Sequence, residues 1–117
     1  MREILFKAKR IDNGEWVEGH YYSQVYHEGT IEEEWYHFIK PIGSESWERI
    51  RVKPETICQY TGLTDKNGQK IWENDCIGHR LNVVEFLDGY WCVNGDRPLW
   101  MVAKDWEVIG NIFDNLE

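Results

Sequence analysis

Chemistry in this 117-residue chain would have to come from carboxylates, thiols or imidazoles, so their spacing is read first. Glu73 and Asp75 lie two residues apart, and Glu85 follows in the next strand-like stretch. A glycosidase holds two carboxyls about 5–10 Å apart, one of them with a raised pKa. With 21 acidic residues in the chain, such pairs also arise without a site. Cys58 could act as a nucleophile if a histidine approached it; on a strand, a buried and unreactive thiol is the commoner outcome. His20, His27, His37 and His79 have no metal-ligand spacing with one another or with Cys58, Cys76 and Cys92. The Asp65-Lys66-Asn67-Gly68 run looks like part of a calcium loop. Setting Gly68 as its glycine puts Leu63 at the first ligand position and Asn74 where a bidentate Glu is needed. A turn is the better reading. The expectation is no catalytic constellation, no metal and no cofactor, with a cryptic hydrolase using Glu73, Asp75 or Cys58 kept as an alternative.

Aromatic side chains are the second resource. Seven Trp and six Tyr bury about 150–250 Å² each when enclosed, more than a core of this size obviously requires. Tyr60, Trp72, Trp91, Trp100 and Trp106 are the candidate interaction surface, because Trp and Tyr anchor protein interfaces; the plainer reading is a ring-rich core. The formal net charge of −8 repels phosphate backbones and anionic lipid surfaces. A local basic face is the route by which nucleic-acid binding could persist. The first stripe to consider is Arg2, Lys7, Lys9 and Arg10, but on a strand Lys7 and Lys9 point away from Arg2 and Arg10. Three widely spaced cysteines suit free thiols in a reducing cytoplasm. The charged start carries no signal-like apolar run, and no stretch reaches membrane-spanning length. The expected setting is cytoplasmic.

The elements that must position these groups read as short strands divided by turns. Ile4, Phe6 and Ala8 alternate with Leu5, Lys7 and Lys9. Asp12-Asn13-Gly14 turns the chain into a strand from Trp16 to Tyr22, since Asn and Gly accept positive φ. The solvated run Glu32-Glu33-Glu34 precedes a strand from Trp35 to Lys40, ended by Pro41. Gly43-Ser44-Glu45-Ser46 is a loop, and a strand from Arg49 to Val52 follows with Ile50 and Val52 inward. A seam between N-terminal and C-terminal halves falls at Lys53-Pro54-Glu55-Thr56. Ile57 to Tyr60 is a strand, and Thr61-Gly62 and Asp65 to Gly68 are turns. Ile71 to Asp75 is too short for a standalone helix and reads as one turn leading into a strand. Val83 to Leu87 and Tyr90 to Val93 form a hairpin about Asp88-Gly89. Residues 94–98 form a loop, Leu99 to Ala103 a short strand, and Trp106 to Phe113 the last strand. Together they predict one mostly-β domain over 1–117, a small barrel-like or sandwich domain of short antiparallel strands with little helix, whose C-terminal half could be SH3-like.

The run from Gln59 to Asp75, Gln-Tyr-Thr-Gly-Leu-Thr-Asp-Lys-Asn-Gly-Gln-Lys-Ile-Trp-Glu-Asn-Asp, resembles the central motif of the YopX family of small phage- and prophage-encoded proteins. The flanks are similar too: Arg2 to Ala8 with Ile11 to Val17 looks like its N-terminal hairpin, and Glu107 to Phe113 its C-terminal strand. Pro54-Glu55-Thr56 precedes the motif, so the resemblance spans nearly the whole chain. One departure is Asn74, where the family usually has Gly; Asn also accepts positive φ. Gly62, Asp65, Asn67, Gly68 and Asp75 are then the structural turn motif. The resemblance implies a mostly-β phage accessory protein and brings no established activity. The leading expectation is a non-enzymatic module, in the bacterial host's cytoplasm, binding an unknown host or phage protein or another copy of itself. Nucleic-acid binding through a local basic face is the alternative from another class.

Overall fold

The computed structural model describes residues 4–43 and 48–114. Arg2 of the expected basic stripe, Arg2 and Glu3 of the family-like start, and positions 44–46 of the expected loop lie outside the described residues. The chain is mostly β, built from antiparallel pairs, and it forms two compact units, one covering Ile4–Cys58 and one from Gln59 onward. No helix among the described residues is long and apolar enough to cross a membrane.

In the N-terminal unit, β1 (Phe6–Lys9), β2 (Trp16–Tyr26), β3 (Glu34–Pro41) and β4 (Ile50–Arg51) lie in the order β4-β3-β2-β1. The first hairpin opens at Lys9↔Trp16, with Gly14 at φ 74° in the turn read from Asp12-Asn13-Gly14. Tyr26↔Glu34 closes the second, and β2 continues past Tyr22, the residue at which the sequence suggested it would end. Alternation sends Ala8, Ile39 and Val52 into a buried cluster, against which Phe6, Val17, Tyr21 and Ile50 pack. An Arg10↔Val52 bridge curls the chain after β4 back onto the end of β1. Behind it a 3-10 turn at Pro54–Thr56 is fastened by Thr56, whose hydroxyl donates to the Lys53 carbonyl (2.7 Å) and accepts from the Lys9 N–H (2.8 Å).

The C-terminal unit contains three small sheets. β5 (Cys58–Thr64) pairs with β6 (Lys70–Trp72), β7 (Asp75–Ile77) with β11 (Val108–Asn111), and β9 (Tyr90–Val93) lies between β8 (Val84–Leu87) and β10 (Arg97–Pro98). They supply Ile71, Ile77, Val84 and Val93 to one core, completed by Leu99 and Ala103. The arrangement is sandwich-like: among the described residues the sheets do not close into a barrel.

Four local expectations are corrected. Leu99–Val102 is a one-turn α-helix, α1, not a strand; Leu99 is fully buried while Trp100 is exposed, and both outcomes are compatible with so short an apolar run. Ile71 and Trp72 extend along β6, paired with β5, so the turn expected over Ile71 to Asp75 is confined to Glu73 and Asn74, from which the chain enters β7. Thr61-Gly62 does not reverse the chain. It lies inside β5, where Gly62 at φ 88° accompanies a register shift between Tyr60 and Thr64, as a bulge requires. Arg97–Pro98, read as loop, makes a two-residue ladder with Val93 and Cys92.

Candidate functional site: an aromatic groove beside an edge strand

The turn motif positions the C-terminal unit's strands. Asp65 is buried, and its Oδ1 accepts from the backbone N–H groups of Asn67 (2.8 Å) and Gln69 (2.9 Å). Its Oδ2 accepts from the Val108 N–H (2.9 Å), at the start of β11. Burial alone would raise this carboxyl's pKa, but the bonds from Val108, Gln69 and Asn67 outweigh it and hold the pKa below the ordinary value. Gly68 closes the turn through its N–H to the Asp65 carbonyl (3.0 Å). Asp75, fully buried, accepts from the Trp72 N–H (2.8 Å) across a turn in which Asn74 holds φ 71°, the conformation its side chain tolerates.

The groups singled out for hydrolysis also meet the main chain. Glu73 Oε1 accepts from the Gln59 N–H (3.2 Å). The Cys58 thiol is buried and donates to the Thr56 carbonyl (3.3 Å). Burial, and then the charge of Asp75, push the Cys76 thiol up, away from thiolate. Glu85 is exposed on β8 opposite Cys92. Of the histidines, His20, His27 and His79 are exposed. His37 is half-buried, with Nδ1 2.7 Å from the Tyr21 hydroxyl.

The candidate aromatic set divides three ways. Tyr60 and Trp72 are a buried cross-strand pair with centroids 5.5 Å apart. Trp106 packs against the core beneath the Arg97 guanidinium, 5.8 Å from the ring. Trp91 and Trp100 are brought together, and they line a groove of about 390 Å³ with Phe86 and Tyr90, opposite Gln59, Thr61 and Leu63 of β5. Phe86 and Tyr90 join the candidate set only in the structure, because the sequence marks their segment simply as two strands about the Asp88-Gly89 turn. In the structure Phe86 meets the Trp91 ring edge-on (5.1 Å, 71°). Phe86 is 52% exposed, Tyr90 42% and Trp100 67%, a large apolar area to leave in water at one place.

The wall of this groove is also a strand edge. Asp88 and Gly89, at φ 51° and 89°, make the two-residue turn that needs positive φ at both positions. Such a turn sets Leu87↔Tyr90 as a hydrogen-bonded pair, which makes Phe86↔Trp91 the alternate, non-bonded pair. The Phe86 N–H and carbonyl therefore point away from β9. Since β8 is terminal in its three-stranded sheet, they point to its outer edge, beyond the stretch where the Val84 carbonyl accepts from the Asn74 N–H (2.8 Å) and Val83 bridges Cys76.

A structure of small antiparallel sheets, joined through an Asp-centred turn and carrying an aromatic groove, defines a mostly-β module. The family model for the YopX protein matches residues 5–117, and the chain belongs to that family. No curated protein matches it.

Proposed function

We propose that this chain is a non-enzymatic protein-binding accessory module of phage or prophage origin, acting in the cytoplasm of a bacterial host. Its ligand is an extended segment of another protein that meets the Phe86 end of the β8 edge, with apolar side chains in the Phe86–Tyr90–Trp91–Trp100 groove. The observation that carries this reading is the coincidence of the two features. An edge strand supplies main-chain hydrogen bonds without sequence preference, and an adjoining pocket for alternate side chains supplies selectivity. Partly exposed rings are the side chains most often found as binding hot spots. A non-enzymatic role is supported by the use of Asp65, Glu73 and Asp75 as acceptors for backbone N–H groups. The same edge could pair with its copy, so self-association belongs to this proposal.

A random-peptide display selection tests it. Enriched peptides are expected to be extended and apolar and to lose at least about tenfold in affinity on Trp100→Ala or Phe86→Ala, as hot-spot truncations do. They should bind Tyr22→Ala, altered in the other unit, as well as wild type. Enriched peptides indifferent to both groove substitutions would overturn the site. Sedimentation of wild type and Trp100→Ala over a concentration series reads the self-association arm, in which only wild type should dimerise.

A further inference from the structure

A second surface, in the N-terminal unit, has different chemistry. The registers Lys9↔Trp16, Tyr22↔Phe38, Gln24↔Tyr36 and Phe38↔Arg51 place these side chains on one sheet face, opposite the face that buries Ala8 and Ile39. Lys7 and Lys40 belong to the same face by alternation, as does Arg49, two residues before Arg51; Glu18 and Glu34 are its carboxylates. A chain of net charge −8 thus gathers more cations than anions on one outward surface.

The arginines are arranged unusually for an acidic protein. The Arg51 guanidinium lies 3.6 Å from the Tyr36 ring centroid, and Arg49 lies 4.3 Å from that of Phe38. Arg49 also donates to the Gln24 amide oxygen (3.0 Å) and to the hydroxyls of Tyr26 (3.3 Å) and Tyr22 (3.4 Å). Neither arginine pairs with a carboxylate among the described residues, and both are exposed. Behind them Tyr22 stacks on Phe38 (5.3 Å, 26°) and Tyr26 leans on Tyr36 (4.5 Å), so the guanidinium planes rest on a backing of rings. Tyr22 itself stays 38% exposed. These are flat surfaces carrying positive charge and spare N–H donors.

A ligand complementary to that surface is both planar and anionic. We propose that this sheet face binds single-stranded nucleic acid, with bases stacking on Tyr22 and on the guanidinium planes of Arg49 and Arg51, and phosphates meeting those arginines and Lys40. Stacking on rings and guanidinium planes is how sheet surfaces hold unpaired bases. A duplex keeps its base faces covered and offers this surface only phosphates. An acidic peptide would satisfy the charges and leave the stacking planes unused.

Anisotropy of fluorescein-labelled oligothymidine and oligouridine, titrated with the full chain, tests the proposal. Binding is expected at low salt and should weaken about 100-fold over a tenfold rise in salt if three phosphates are neutralised. Tyr22→Ala should weaken it about tenfold or more, while Tyr22→Phe, which keeps the ring, should retain most of it. Arg49→Gln and Arg51→Gln should weaken binding and flatten the salt dependence, with circular dichroism showing each variant folded. Trp100→Ala, in the other unit's groove, should bind like wild type, which separates this result from the peptide experiment. No binding at low salt overturns the proposal. So does equal affinity for the matching duplex, or equal competition by polyglutamate.

Discussion

Asp65 shows how a residue that looks like a ligand can be structural. Its two oxygens accept three backbone N–H groups, and one of these, from Val108, lies 43 positions along the chain. A buried carboxylate accepting several such bonds favours its charged form, and the pKa is held below the ordinary range despite burial. The sign of its pH effect follows. With the folded pKa depressed, its stabilising contribution is fully present above the unfolded value of about 3.9 and is lost as pH falls through the folded value. Asp65→Asn keeps the shape but turns an amide donor toward one of these N–H groups. It should cost about 1–3 kcal/mol at neutral pH and should flatten the stability–pH curve below about pH 4. Urea midpoints for both proteins across that range measure it; parallel curves would show that another carboxylate controls the acid limb. The Asp65–Gly68 turn was legible from residue types alone. The Val108 bond was not, because spacing within a segment carries no information about a partner so far along the chain.

At the scale of elements, the turns set what could be read. Asp88-Gly89 and Asp12-Asn13-Gly14 locate two hairpins because few residues accept their backbone angles, and pairing follows within a residue or two. Pairings with longer connections were less legible. Nothing in residues 22–26 or 34–38 announces that Gln24 faces Tyr36, so the stacked face with Arg49 and Arg51 went unread. Trp91 and Trp100 were named from composition, but Phe86 and Tyr90 join them only once β8 is known to be terminal in its sheet. Gly19 is a further consequence of register. It sits between Phe6 and Pro41, and a Cβ there would overlap the Lys40 carbonyl oxygen and stand 2.9 Å from Pro41 Cα. Gly19 is thus required for backbone approach and not for a turn. Gly19→Ala should destabilise the chain by about 1–3 kcal/mol, as overpacking does. A control, Gly29→Ala, meets nothing within 4 Å and pays only for its φ of 80°. Thermal melts should rank Gly19→Ala well below Gly29→Ala; the reverse order would mean that β2 and β3 separate to admit a methyl at little cost.

Charge is the property that belongs to the molecule as a whole, and its two consequences run in opposite directions with salt. The net charge of −8 makes the folded chain repel itself, which destabilises the compact state. Ions screen that repulsion, with a Debye length of about 10 Å at 0.1 M. The Arg10–Asp12 ion pair (2.8 Å) is well exposed, a type that contributes little and so has little to lose to screening. Between about 20 mM and 150 mM sodium chloride the melting temperature should therefore rise as the Debye length shortens. Over the same range the affinity of the Arg49–Arg51 face for oligonucleotides should fall, because bound phosphates release counterions into a medium that already holds more of them. A melting temperature that fell with salt would show that the charges of the folded chain attract on balance, and that its acidic residues are distributed to offset one another. The measurement also separates a local effect from a global one. Arg49→Gln with Arg51→Gln makes the net charge more negative, so the salt-induced rise in melting temperature should grow while the salt dependence of binding shrinks, and an ordinary loss of folding would move both the same way.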